Sequence, residues 1–158
     1  MTDIILHHFD ISPFAEKIRL AFGIKNLSWH SVEIPLVMPK PDLTALTGGY
    51  RKTPVMQIGA DIYCDTQRIA LELETRFPAP TLFPGHSRAL SFAFAQWSDA
   101  AFFQPGSGLS LGTNTALPED IQTDRREFFS YMDFDTLEEQ LPHLFSQFCA
   151  HLHLLEDM

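Results

Sequence analysis

The order of strand-like and helix-like segments constrains this chain more than any other feature. Ile4-Ile5-Leu6-His7-His8-Phe9 is short, apolar and rich in strand formers. Asp10-Ile11-Ser12-Pro13 then opens a helix. Ser12 suits the N-cap, and Pro13 suits the first helical position, where its missing N–H costs nothing. Phe14, Ile18, Ala21 and Phe22 recur at helical spacing, and Gly23 predicts the end of the element. Trp29 to Ile34 reads as a second strand, followed by a proline-rich connection through Pro35, Pro39 and Pro41. After Gly48-Gly49, the run Pro54 to Ile58 predicts a third strand. Gly59-Ala60-Asp61 makes a turn into a fourth, Ile62-Tyr63-Cys64. Asp65-Thr66 caps a helix with Ile69, Leu73 and Phe77 on one face, and Pro78 and Pro80 end it. The order is β-α-β followed by β-β-α. It predicts an α/β domain in which helices cover the faces of a small mixed sheet.

Beyond residue 80 the strand pattern stops. Residues 81–86 read as a linker between a first domain, 1–80, and a helical second one, 87–158. Leu90, Phe94, Trp97 and Ala101 lie at helical spacing, predicting a helix over residues 86–103. Residues 104–118, with Pro105, Gly106, Gly108, Gly112 and Pro118, predict a long polar loop. Leu137, Leu141, Leu144, Phe148, Leu152 and Leu155 then repeat at three and four, an amphipathic helix that Pro142 kinks or restarts. Such an apolar stripe needs a cover, and a second copy of the chain is the expected one.

Charge and cysteine usage remove several function classes. The 158 residues carry a formal net charge of -9, with basic residues scattered, which argues against nucleic acid or an anionic membrane as partner. Only Cys64 and Cys149 are available, too few for a disulfide framework or a zinc site, so no metal is expected. Neither a secretory leader nor a membrane-spanning run is evident, which predicts a cytoplasmic protein.

Ser12-Pro13-Phe14-Ala15 carries the most chemistry. A side chain at a helix N-terminus sits beside free backbone N–H groups and the positive end of the helix dipole. That place favours an anion, a thiolate included. The same tetrapeptide also describes a plain helix cap, as does Asp65-Thr66. Lys40 and Lys52 read equally well as solvated surface lysines, Cys64 as a small buried filler, and His8 as a core or surface residue.

Ser12-Pro13-Phe14-Ala15-Glu16-Lys17-Ile18-Arg19 resembles the active-site helix start of the serine and cysteine classes of glutathione transferase. Thr53-Pro54-Val55 is similar to the loop that holds a cis-proline ahead of that family's third strand, and Asp65-Thr66 stands where the family has an acidic residue before serine or threonine. The resemblance implies a thioredoxin-like first domain followed by an incomplete all-α domain. It implies that Ser12 hydrogen-bonds the glutathione sulfur, with Phe14 beside it. Pro54, in cis, then turns the backbone of Val55 toward the cysteinyl part, Asp65 and Thr66 hold the γ-glutamyl ammonium and carboxylate, and Lys52 and Lys40 meet the glycyl carboxylate. Phe9, Trp97, Phe102 and Phe103 are the implied electrophile pocket. Glutathione is then a co-substrate, the partner is a small electrophile, no cofactor is needed, and the protein is a homodimer. Disulfide-exchange enzymes of the same fold carry cysteines where this chain has Ser12 and Ala15, so dithiol chemistry is not expected. Two functions follow from the resemblance: an enzyme adding the glutathione thiolate to an electrophile, or a non-catalytic glutathione-binding or interaction module.

Overall fold

A computed structural model describes residues 3–157; Met1, Thr2 and Met158 lie outside them. The chain divides into two compact units, residues 1–88 and 89–158.

The first unit is a four-stranded mixed sheet in the order β2-β1-β3-β4. Its strands are β1 (Ile4–His8), β2 (His30–Glu33), β3 (Val55–Ile58) and β4 (Asp61–Cys64). Strand β2 runs parallel to β1, whereas β3 pairs antiparallel with both β1 and β4. Alternation along β3 sorts the two faces. Met56 and Ile58 join Leu6, Ile18, Phe22, Ile69 and Leu73 in a core under α1 (Pro13–Ile24) and α3 (Thr66–Arg76). Val55 turns the other way and packs with Ile34 and Leu43, the latter on α2 (Pro41–Thr47). Helix, sheet and helix therefore stack in three layers.

Helix α2 lies where the sequence suggested only connection. Pro41 occupies its first turn and Gly48, at φ 66°, closes it, a start and stop that seven residues were too few to reveal by periodicity. Gly23 does not end α1. That helix runs to Ile24, Lys25 caps it, and the chain turns at Asn26 with φ 50°.

The second unit is all helical: α4 (Arg88–Trp97), a π-helical turn (Ser98–Phe102), α5 (Phe103–Gly112), α6 (Glu119–Phe128) and α7 (Leu137–Glu156). The expected loop over 104–118 is thus α5 followed by a short connection, and α6 carried no apolar stripe by which to recognise it. The glycines of α5 serve packing rather than turning. A Cβ at Gly108 would stand 2.8 Å from Leu144 Cδ1, one at Gly112 2.8 Å from Leu141 Cδ2, and one at Gly106 3.1 Å from Phe148 Cε2. Pro105 lacks the N–H that would pair with the carbonyl of Ala101, and the widened π turn sits directly ahead of it. The stripe on α7 is therefore covered along Leu137 to Phe148 by α5, from within the chain, while Leu152 and Leu155 stay exposed. Pro142 does not restart α7, which continues through it.

Candidate functional site

Strand register gathers the candidate residues. Val55, at the start of β3, lies opposite His7 near the C-terminal end of β1 and opposite Cys64 at the end of β4. The loop after β1, the loop before β3 and the start of α3 after β4 therefore leave the same end of the sheet. Ser12, Thr53-Pro54 and Asp65-Thr66 share that end because of pairing alone.

Ser12 caps α1, with Oγ accepting the Ala15 N–H at 3.1 Å, and the residue is 4% exposed. As an acceptor in that bond, the hydroxyl keeps its own proton to donate. Phe14, the second residue of α1, is half-buried, with the Lys17 ammonium 5.6 Å from its ring centre.

The Thr53–Pro54 bond is cis, and Pro54 is fully buried. Val55 is the first residue of β3. It stands between His7 and Cys64, and in an antiparallel ladder the N–H and C=O of such a residue both pair with one neighbouring strand. Thr53 lies ahead of the ladder, and its Oγ1 is buried without a partner among the described residues.

Asp65 caps α3 with a carboxylate oxygen accepting the Gln67 N–H at 2.8 Å, and its backbone sits at φ 74°, ψ 133°. Non-glycine residues seldom adopt such angles, and those that do cluster at ligand clamps. Tyr50, absent from the sequence-based set, packs nearby. Burial, then the charges of Asp65 and Cys64, push its phenol up to about 12, so it stays a neutral hydroxyl beside Asp65. Thr66 is buried and its Oγ1 accepts from the Lys17 ammonium at 3.2 Å. Lys40 is buried, its ammonium 5.2 Å from the Phe9 ring centre, whereas Lys52 is exposed. Burial, then the Asp65 charge, raise the Cys64 thiol, which disfavours a reactive thiolate there.

The four expected electrophile residues are divided between the two units. Phe9 packs in the first unit against Ile34, Leu43 and Val55. Trp97 stacks on Phe94 and Phe102, Phe102 on Phe148, and the His151 ring meets Trp97 edge-on at 5.4 Å. Phe103 belongs to a second cluster with Phe129 and, beyond it, Phe128 and Tyr131. A cavity of about 220 Å³ between α5 and α7 is lined by Gln104, Tyr131, Met132, Gln140 and His143 among others, and none of the four expected aromatics borders it.

His8 supports α1 from below. The Arg19 guanidinium donates to Nδ1 at 2.9 Å, so the proton of the neutral ring is on Nε2, which donates to Ser31 Oγ at 2.8 Å. Burial, then the Arg19 charge, hold its pKa below 6.5, against opposing pulls from Asp10 and Glu33. A depressed histidine favours the fold while neutral. Its contribution is complete above the unfolded value of about 6.5 and is lost as pH falls from there through the folded value. The urea midpoint is expected to drop between pH 7 and 5, and to drop less in His8→Gln, which keeps a donor and an acceptor without titrating.

A thioredoxin-like α/β unit that starts its first helix on a serine and holds a cis-proline ahead of its third strand, followed by an all-α unit, defines the class of this molecule. Residues 6–81 match the glutathione S-transferase N-terminal domain. A GST-like protein from Pseudomonas syringae is 45% identical, with a TM-score of 0.63, and the match covers 90% of this chain and 50% of that one. A rice glutathione transferase solved in complex with glutathione is 25% identical (TM-score 0.63, covering 89% of this chain and 63% of that one). The fold is also that of the Tau class enzyme from mango, at 19% identity and TM-score 0.72, covering 98% of this chain and 61% of that one. No curated protein matches by sequence. The chain belongs to the glutathione S-transferase family, and spans half to under two thirds of the length of these relatives. Among the described residues no helix is long and apolar enough to cross a membrane, and no group of three or more His, Cys, Asp or Glu is placed to hold a metal.

Proposed function

We propose that this protein binds glutathione at the sheet end shared by Ser12, Thr53-Pro54 and Asp65-Thr66, and conjugates its thiolate to a small electrophile. The observation that carries the reading is the register placing Val55 between His7 and Cys64, which brings the three loops to one edge. Ser12 donates its hydroxyl proton to the sulfur. The α1 N-terminus adds its partial positive charge, and together these favour the thiolate by about 2–3 kcal/mol. A free thiol near pKa 8.5 is roughly 3% ionised at pH 7, so a lowering of about two units makes most of the bound thiol nucleophilic. The backbone of Thr53 pairs with the cysteinyl part, Asp65 takes the γ-glutamyl ammonium, and Thr66 with the first N–H groups of α3 takes the carboxylate. Lys52 meets the glycyl carboxylate, Lys40 being the less exposed of the two lysines. The rice relative was solved with glutathione, which supports the ligand. The chemistry calls for no metal or organic cofactor. In this reading two copies associate through apolar residues left exposed on α7, among them Phe145 and Leu154, and the chain works in the cytoplasm, where its two free thiols stay reduced.

A second reading, glutathione binding without turnover, needs only the sheet end shared by Ser12, Thr53-Pro54 and Asp65-Thr66. Titration calorimetry with glutathione, followed by an assay against a generic aryl halide, separates the two. Binding with conjugation supports the enzyme, binding alone supports the module, and no binding overturns both.

A further inference from the structure

We propose that the cavity between α5 and α7 is a binding site for a small uncharged molecule that carries an amide-type edge beside an apolar ring. The inference stands apart from the glutathione reading, because every residue lining the cavity belongs to the second unit. Pro105, Gly108, Leu137 and Leu144 supply the apolar part of the wall, and the first three are buried. The volume of about 220 Å³ equals that of about seven waters at ~30 Å³ each, room for one ring and a polar substituent. A cleft between bundled helices, apolar with a few convergent polar groups, is a usual place for such a ligand.

The polar groups specify the ligand's edge. Gln104, Gln140 and Gln147 each bring a planar carboxamide, one acceptor beside two N–H donors. Gln140 gives one of its hydrogens to Thr136 Oγ1 at 2.7 Å, which orients that amide. The carboxamides of Gln104 and Gln147 hold no bond to another described residue. The Tyr131 phenol lies 2.9 Å from Ser107 Oγ, and burial pushes its pKa up, so it remains a hydroxyl. Among the described residues lining the cavity, none is Asp, Glu, Lys or Arg. A charged ligand would therefore leave water without a countercharge, whereas an amide edge meets donors and acceptors together. Its ring displaces water that Leu137 and Leu144 cannot hydrogen-bond.

Magnetic resonance of the isotope-labelled full chain tests this, with the glutamine side-chain amides as reporters. The two probes are benzamide and benzoate, which share a ring and differ in charge. At about pH 8, above the ordinary histidine range, benzamide should shift the amides of Gln104, Gln140 and Gln147 saturably, and benzoate should bind about tenfold more weakly. The double replacement Gln104→Leu with Gln147→Leu alters only exposed side chains and should weaken benzamide about tenfold. Benzoate binding as tightly as benzamide, or a double variant that binds benzamide like wild type, overturns the assignment. So does a titration in which none of the three amides moves.

Discussion

Replacing Lys25 by methionine is expected to cost about 3–5 kcal/mol of stability, the usual result of removing one partner of a buried ion pair. The Lys25 side chain is 0% exposed and its ammonium lies 2.7 Å from Glu74 Oε2, while Glu74 is 21% exposed. The same ammonium donates to the carbonyls of Phe77 at 2.6 Å and Pro80 at 2.9 Å. Glu74 in turn accepts the Thr81 hydroxyl and the Leu82 N–H. One cation thus ties the end of α1 to the end of α3 and to the segment at 77–82, which the sequence suggested was in part free linker. Methionine fills most of the volume but leaves a carboxylate and two carbonyls without their donor. The double replacement Lys25→Met with Glu74→Leu should recover part of the loss, since apolar substitution of both partners removes the orphaned charge.

Acid titration reports on the same cluster. Burial alone would raise the Glu74 carboxyl, but the bonds from Leu82 N–H, Lys25 and Thr81 outweigh it and hold the pKa below 4.5. A depressed carboxyl contributes stability above its unfolded value, and that contribution is lost as pH falls through the folded value. Wild type should therefore lose more stability than Lys25→Met on acidification below about pH 4.5. Urea unfolding across pH reads both effects, and a wild-type midpoint shared by Lys25→Met would remove the cluster from the account.

The second large effect concerns chemistry. Ser12→Ala should lower kcat/KM for conjugation by about 10- to 100-fold, the worth of a hydrogen bond to a charged sulfur, with glutathione binding changed only a few-fold. Because Ser12 Oγ also caps α1, the variant should lose about 1 kcal/mol of stability as well. The two losses separate experimentally: Ser12→Asn keeps a capping acceptor but cannot place a hydroxyl at the sulfur. Turnover that follows the cap, high in Ser12→Asn and low in Ser12→Ala, would make the residue structural only.

Much of the first unit was legible because its signals are local. Ser12-Pro13 and Asp65-Thr66 announce helix starts through residue types whose capping chemistry works in any context, and both helices begin there. The apolar run after Gly48-Gly49 revealed β3, whose two faces the structure fills with different cores. The second unit was harder to read. Glycines at 106, 108 and 112 look like a loop until Leu141, Leu144 and Phe148 of α7 are known to press against them. A glycine chosen for close approach and one chosen for a turn are identical in sequence. Lys17 and Lys25 were invisible for a related reason: each reaches a partner 49 residues away, and nothing near either one marks it. The pairing of Val55 with His7 is a matter of strand register, which the sequence does not specify to one residue.

The central claim is that the start of α1, through the Ser12 hydroxyl, favours an ionised sulfur. Ultraviolet absorbance of the thiolate, followed against pH with glutathione bound to the wild-type chain, measures it directly. The account predicts a midpoint about two units below the free value near 8.5, moving back toward it in Ser12→Ala. A bound thiol that ionises at the same pH as free glutathione would contradict it.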